Sequence, residues 1–151
     1  MDIRMALRDE VPALLGLYRH LSPEDAPCDV STALKNFDRI GAYPGSGILV
    51  ATRGDAIVGS VTMILVPNLT RGGAPYVLVE NVVTHADHRG QGIGKAMLAE
   101  VARRAWAAGC YKVMLMTGSQ RDSTLGFYRA AGFEQSKTGF QIRRLPPREQ
   151  G

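Results

Sequence analysis

Residues 80–109, ENVVTHADHRGQGIGKAMLAEVARRAWAAG, run from the end of an apolar strand through a glycine-rich turn into an amphipathic helix. The strand is predicted over 76–84, where Tyr and Val, which favour extended backbone, are frequent. The helix is predicted over 92–108, because its apolar residues recur at helical spacing and Gly109 suits a C-terminal cap. A strand followed directly by a helix is a unit of sheets that carry helices on their faces.

Further strands and helices are predicted on both sides of this unit. Upstream, the sequence predicts a strand over 3–7, a helix beginning near Asp9, a second helix capped by Ser31, and a hairpin of strands 48–52 and 56–66. Downstream, it predicts a strand over 111–116, a helix over 123–131, and a weak last strand from about Thr138. This order of elements indicates an α/β fold with one mixed sheet and helices on its faces.

The chain has 151 residues, of which 45% are hydrophobic and 21% are charged, a balance typical of one globular domain. We therefore expect a single domain over residues 1–145 and a flexible tail over 146–151. Cys28 and Cys110 cannot form a disulfide framework, and no zinc-ligand spacing is present, so no metal is predicted. Since neither a signal-like N-terminus nor an apolar stretch of about 20 residues is present, the sequence predicts a soluble, cytoplasmic protein.

The formal net charge of the chain is +4, an excess that solubility alone explains. The basic residues do not form one block and do not alternate with aromatic residues. Neither nucleic acid nor a membrane is therefore predicted as a partner. The basic residues that bear on function are single ones that stand beside glycines, where they could contribute to an anion-binding site.

The turn RGQGIGK, residues 89–95, has the composition of an anion-binding site. Its glycines permit positive φ, and the helix that follows directs its unpaired N–H groups toward the turn. Arg89 and Lys95 add positive charge on either side. The spacing does not fit a dinucleotide fingerprint, which needs glycine at Lys95, or a Walker motif, which needs Ser or Thr at Ala96. Two interpretations stay open here: a site for a phosphate-bearing ligand, most simply a pyrophosphate, and a turn with a structural role only.

In its wider context the turn resembles the acetyl-CoA motif of the GNAT acetyltransferase superfamily. The match is Arg89-x-x-Gly92-x-Gly94 after an apolar strand, and FYRAAGF at 127–133 is similar to the closing helix of the family. The similarity extends over about residues 76–135. It implies a GNAT-like, mostly antiparallel mixed sheet with a splayed pair of parallel strands and helices on both faces. It also implies N-acetyltransferase activity with acetyl-CoA as co-substrate, and it is compatible with a homodimer, which is frequent in the family.

The resemblance also assigns residues to the cofactor. Backbone groups of Val82, Val83 and Thr84 would pair with the pantetheine arm as an added strand would. The residues around the pyrophosphate would be Arg89, Gly90, Gln91, Gly92, Gly94 and Lys95. Ser123 and Arg129 on the closing helix are assigned to the cofactor as well, although the asparagine that often precedes this helix in the family is absent.

Two residues are expected to take part in acetyl transfer. Glu80 lies beside the expected thioester and is the candidate base for the attacking amine, unless it is a solvent-facing strand residue or part of a buried ion pair. Tyr128 resembles the family tyrosine that acts as general acid at the CoA sulfur, or else it is a core aromatic beside Phe127. His85 is the reserve base, and the backbone N–H of Val83 is a candidate donor to the carbonyl. Because the cysteines are poorly placed for an acyl-enzyme, direct attack in a ternary complex is predicted.

The acceptor is predicted mainly from the resemblance. In the family, the first helices and the loop before the central strand shape the acceptor pocket, and here they provide Tyr18, His20 and Arg71. Arg71 would hold a carboxylate or a phosphate, unless it is a solvated loop residue. Similarity to the branches that act on glucosamine 6-phosphate and aminoalkylphosphonates implies a small, acidic primary amine. The alternatives are a protein or peptide N-acetyltransferase and a catalytically silent regulator that binds acetyl-CoA.

Overall fold

The computed structural model describes residues 1–147, which form two compact units, Met1–Leu115 and a second unit that begins at Met116. The first unit contains the strands β1 (Asp2–Met5), β2 (Gly47–Arg53), β3 (Ala56–Val66), β4 (Tyr76–Thr84) and β5 (Val113–Leu115). It also contains the helices α1 (Val11–Tyr18), α2 (Val30–Ala42) and α3 (Ile93–Ala107), and the second unit contains α4 (Asp122–Ala130). None of the helices within residues 1–147 is long and apolar enough to cross a membrane.

The strands form one mixed sheet in the order β1-β2-β3-β4-β5. The pairs β1–β2, β2–β3 and β3–β4 are antiparallel, whereas the pair β4–β5 is parallel. A tight turn at Gly54 and Asp55 joins β2 to β3, while α3 makes the long crossover that a parallel pair needs. This arrangement confirms the predicted α/β architecture, with a mostly antiparallel sheet and one parallel pair.

Helices cover both faces of the sheet. Gly59 of β3 faces α3, where an added Cβ would lie 2.9 Å from Met97 and 3.0 Å from Ile93. The next residue, Ser60, faces Tyr18 of α1. Since successive side chains of a strand alternate between faces, α1 and α3 lie on opposite sides. The fully buried apolar side chains of the sheet and α3 include Leu49, Val50, Val61, Met63, Val77, Val79, Met97, Leu98 and Val101.

The weak last strand that we predicted from about Thr138 is wrong. Residues 138–142 have no regular structure, and the side chains of Phe140 and Ile142 are almost completely exposed. Alternating apolar and polar residues favour a strand only where a neighbouring strand can take up the backbone hydrogen bonds. The single domain over 1–145 stays a prediction, and residues 148–151 of the expected tail lie outside the described residues.

The predicted N-cap of α2 was also wrong by two residues. Asp29 is the cap, and its carboxylate accepts the Thr32 N–H at 2.8 Å. Ser31 lies inside the first turn, because the helix already begins at Val30. Asp and Ser are equally good caps, so composition alone did not distinguish the two positions.

Candidate active site

The end of β4 departs from regular strand geometry at Asn81. This residue has a φ of 52°, a left-handed conformation that asparagine adopts more readily than most residues other than glycine. The register with β3 shifts at the same place, because Thr62 lies opposite Glu80 while Ser60 lies opposite Val83. The result is a β-bulge, in which β4 has one extra residue and bends.

At the same level, β4 and β5 separate. Their parallel pairing ends where Val79 lies opposite Leu115, although β4 continues to Thr84. Beyond Val79, β4 stays paired with β3 but no longer pairs with β5, so the edge of β4 that faces away from β3 suits an extended ligand. The predicted splayed pair is present. The residues on the open edge are those predicted to contact the pantetheine arm, Val82, Val83 and Thr84.

The turn between β4 and α3 is shaped by two glycines in the left-handed region. Gly90 has a φ of 72° and Gly92 a φ of 79°, values that residues with a side chain rarely adopt. Gly92 is also the N-cap of α3, so no side-chain oxygen caps the first N–H groups of the helix. Gly94 is buried in this first turn, and Lys95 is exposed beside it. The turn thus presents unpaired N–H donors at the positive end of a helix dipole, an arrangement that binds phosphate groups.

The two cations that flank the turn have different surroundings. The Arg89 guanidinium is held by two backbone carbonyls, since Nη2 donates to the His20 oxygen at 2.9 Å and Nε donates to the Thr84 oxygen at 3.3 Å. In the described part of the chain, the side chain of Lys95 makes neither a hydrogen bond nor an ion pair. Lys95 is therefore available to an anionic ligand, whereas Arg89 is engaged in joining the end of α1 to the end of β4.

Three histidines from two separate segments of the chain, one after α1 and one after β4, meet next to this turn. The ring centroids of His20 and His85 are 4.0 Å apart, and those of His85 and His88 are 5.6 Å apart. Nδ1 of His20 accepts the Ala86 N–H at 3.3 Å, which ties the residues after α1 to the segment after β4. Gln91, in the turn itself, accepts a hydrogen bond from the arginine that ends β2. The turn is therefore attached to both α1 and the β2–β3 hairpin.

Glu80 and Tyr18 lie on the same face of the sheet. The Tyr18 hydroxyl, at the end of α1, shares hydrogen bonds with the hydroxyls of Ser60 and Thr62. Burial raises the pKa of Tyr18, although these two hydrogen bonds oppose the rise, so the phenol stays protonated at neutral pH. Glu80 lies directly opposite Thr62, and directly opposite side chains project from the same face. The Glu80 side chain is exposed, which excludes the buried ion pair that we considered from the sequence.

Arg71 lies at the other end of β4, in the turn before Tyr76. Its guanidinium stands 5.2 Å from the centroid of the Tyr111 ring, and its φ of 54° is unusual for an arginine. The Lys112 ammonium lies 5.3 Å from the same centroid and 5.0 Å from that of Tyr76. Within residues 1–147, neither cation has a carboxylate partner. Two cations that contact aromatic rings and have no carboxylate partner among the described residues are suited to bind an anionic group.

The second unit holds the remaining predicted site residues on α4. Tyr128 is half-buried, with its ring centroid 4.9 Å from that of Phe127 and 6.2 Å from that of Phe133. Ser123 is exposed in the first turn of the helix, and the Arg129 guanidinium donates to a glutamine at 2.8 Å. These aromatic neighbours fit the alternative in which Tyr128 is a packing residue beside Phe127. Its role as a general acid stays a prediction.

Comparison with known proteins identifies the family. The model of the Acetyltransferase (GNAT) family matches residues 13–133, which include the bulge, the open strand edge and the glycine turn. The chain belongs to the GNAT acetyltransferase family. As a GNAT protein it is an acyltransferase, which confirms the family resemblance and the enzyme class that we predicted from the sequence.

Individual GNAT relatives agree with this result. A glucosamine 6-phosphate N-acetyltransferase from Trypanosoma brucei brucei is 38% identical over 135 residues, which cover 88% of each chain. The solved structure of a candidate acetyltransferase from Agrobacterium tumefaciens str. C58 is 42% identical, with a TM-score of 0.90, and covers 95% of this chain and 100% of that one. An aminoglycoside N-acetyltransferase solved in complex with CoA shares the fold, with 18% identity, a TM-score of 0.75, and coverage of 96% of this chain and 100% of that one.

Sequence reasoning missed three residues of the candidate site: Asn81 at the bulge, Arg53 bound to Gln91 of the turn, and Lys112 beside Tyr76 and Tyr111. Asparagine is rare in strands and tolerates left-handed backbone, so its position within VLVENVVT was a usable signal for a bulge. Arg53 and Lys112 had no local signal, because their neighbours are brought together only by the sheet register. Among the described residues, no group of three or more His, Cys, Asp or Glu side chains is arranged so that it could hold a metal ion.

Proposed function

We propose that this GNAT protein is an acetyl-CoA-dependent N-acetyltransferase that acts on the primary amine of a small, acidic acceptor. The observation that carries the proposal is the open edge of β4 beside the uncapped first turn of α3. An exposed strand edge suits an extended amide-bearing arm, and an uncapped helix N-terminus suits a pyrophosphate. The CoA complex of the aminoglycoside enzyme, which has the same fold, supports this choice of donor.

The residues that would hold the donor follow from this geometry. The backbone of Val82, Val83 and Thr84 would pair with the pantetheine arm, and the N–H groups of the turn would bind the pyrophosphate, with Lys95 adding charge. Ser123 and Arg129 are proposed as further contacts on the basis of the family resemblance. Acetyl-CoA supplies the activated acetyl thioester.

We assign three groups of the chain to the transfer step. Glu80 accepts a proton from the acceptor ammonium, directly or through a water, so that the neutral amine attacks the acetyl carbon. The backbone N–H of Val83, just after the bulge, stabilises the developing oxyanion. As the new C–N bond forms and the C–S bond breaks, Tyr128 donates its proton to the leaving thiolate. The attacking nitrogen loses a second proton as the amide forms, and this proton passes through water to the Tyr128 phenolate. Glu80 releases the first proton to solvent, so the step balances without an acyl-enzyme.

The acidic character of the acceptor rests on two independent observations. Arg71 and Lys112 stand beside the same tyrosine ring without a carboxylate partner in residues 1–147, and we propose that they hold the phosphate or carboxylate of the acceptor. The Trypanosoma relative is named for an acceptor that carries both a primary amine and a phosphate. An amino sugar phosphate is therefore the first acceptor to test.

The test is release of the CoA thiol from acetyl-CoA in the presence of different amines, with a control that lacks protein. The panel contains glucosamine 6-phosphate, an aminoalkylphosphonate, glucosamine, an aminoglycoside, a polyamine and a lysine peptide. We expect saturable release with glucosamine 6-phosphate or another acidic amine, and a much lower kcat/KM with glucosamine, which has the same amine but lacks the phosphate. Activity on peptides alone would overturn the small-molecule acceptor, and failure to bind acetyl-CoA would overturn the donor site.

A further inference from the structure

The end of α1 is attached to both sides of the candidate site. On the acceptor side, the Tyr18 hydroxyl hydrogen-bonds Thr62, the residue directly opposite Glu80. On the donor side, the carbonyl of His20 accepts a hydrogen bond from Arg89 of the turn. Because Tyr18 and His20 are separated by one residue, a displacement of this segment would change both sides of the site together.

Arg89 makes the attachment on the donor side. Its planar guanidinium donates to two carbonyls from separate elements, that of His20 at 2.9 Å and that of Thr84 at 3.3 Å. Two more contacts fix the same segment, since His20 accepts the Ala86 N–H at 3.3 Å and its ring lies 4.0 Å from that of His85. His20, which follows α1, is thereby joined to the segment at the end of β4 by three contacts, and Arg89 is itself joined to Thr84 of β4.

We infer that Arg89 is a positioning residue rather than a direct phosphate ligand. It holds the end of α1, and with it Tyr18, in register with the end of β4, while the unengaged Lys95 provides the positive charge that meets the donor phosphates. This inference rests on the proposed acetyl-CoA-dependent function. It changes the role of the arginine that sequence reasoning placed among the pyrophosphate contacts.

Two donors separate positioning from phosphate binding. S-acetylpantetheine has the thioester and the arm of acetyl-CoA but lacks the pyrophosphate. We expect Arg89→Gln to lower kcat/KM about tenfold or more with both donors and to raise the acceptor KM, because two charge-assisted hydrogen bonds are lost. Lys95→Gln is the matched control, and it should lower kcat/KM with acetyl-CoA only.

The Arg89→Lys variant separates geometry from charge. An ammonium keeps the positive charge but lacks the planar fork that spans two carbonyls, so we expect this variant to behave like Arg89→Gln. Nearly full activity of Arg89→Lys, combined with a loss in Arg89→Gln that is confined to acetyl-CoA, would overturn the inference. That pattern would identify Arg89 as a phosphate ligand.

Hydrogen exchange supplies a readout that does not depend on activity. In Arg89→Gln the Ala86 amide, whose acceptor is His20, should exchange faster than in the parent chain, whereas Lys95→Gln should leave its exchange unchanged. Equal exchange in all three proteins would contradict the positioning role. If the parent chain transfers no acetyl group from either donor, the proposed function fails, and the exchange data still decide the role of Arg89.

Discussion

Asn81 places a bend in β4 at the level where the parallel strand β5 ends. We expect the geometry of the candidate site to depend on the backbone conformation of this one residue. Its φ of 52° is accessible to glycine and asparagine but opposed by a branched Cβ. We expect Asn81→Val to lower the free energy of unfolding by about 1–2 kcal/mol and to reduce kcat strongly, because the bulge is removed or strained. Urea unfolding and acetyl-transfer assays measure the two effects.

Asn81→Gly is the matched control, since glycine adopts the same backbone without strain and lacks the amide. It should retain both the stability and most of the activity of the parent chain. Equal losses in the glycine and valine variants would show that the amide group is needed and the backbone conformation is not.

Glu80 stands next to this bend, on the face that α1 covers. If it is the base, Glu80→Gln should lower kcat on the order of 10²-fold or more while the acceptor KM changes little, because proton transfer and not binding is impaired. Glu24→Gln, at an exposed loop position, is the control for loss of one carboxylate. If the kcat of Glu80→Gln lies within twofold of the parent value, Glu80 is not the base.

At the scale of elements, the junction of β3 with α3 sets the position of the glycine turn. A Cβ on Gly59 would lie 2.9 Å from Met97 and 3.0 Å from Ile93, the first residue of α3. We expect Gly59→Ala to destabilise the fold by about 1–3 kcal/mol and to raise the KM for acetyl-CoA, because overpacking here shifts the start of the helix. Thermal unfolding and initial rates test both parts.

Gly41→Ala in α2 is the control for this substitution. No atom lies within 4 Å of the added Cβ, and alanine favours helix, so this variant should be more stable by about 0.4–1 kcal/mol and equally active. A stable Gly59→Ala variant with the parent KM would show that the turn does not depend on this contact.

Elements with a local signal were predictable from the sequence, and those that depend on a partner were not. The strand from Tyr76 and the helix from Ile93 are specified by their own residue patterns and by the glycines between them. The predicted strand after Thr138 does not form, because a strand needs a neighbouring strand to take up its backbone hydrogen bonds and the local residues do not specify one. The same limit applies to the site, where the glycine turn was visible in the sequence, while the attachment of Arg89 to His20 depends on how α1 packs on the sheet.

The whole molecule adds a long-range electrostatic effect to these local contacts. The chain carries a formal net charge of +4, and acetyl-CoA carries several negative charges on its phosphates. Attraction between a basic protein and an anionic ligand is screened as ionic strength rises, with a Debye length of about 10 Å at 0.1 M salt. Binding of the donor should therefore weaken with added salt, even though no single contact is broken.

We expect the KM for acetyl-CoA to rise several-fold between about 0.02 and 0.5 M salt, since exposed charges such as Lys95 are screened first. The KM for S-acetylpantetheine, which lacks the phosphates, should stay nearly constant over the same range. Steady-state rates with both donors in NaCl measure this difference, and Lys95→Gln should reduce the salt dependence for acetyl-CoA. A parallel rise for both donors would mean that salt acts on the fold or the acceptor site, and the donor phosphates would then contribute little to recognition.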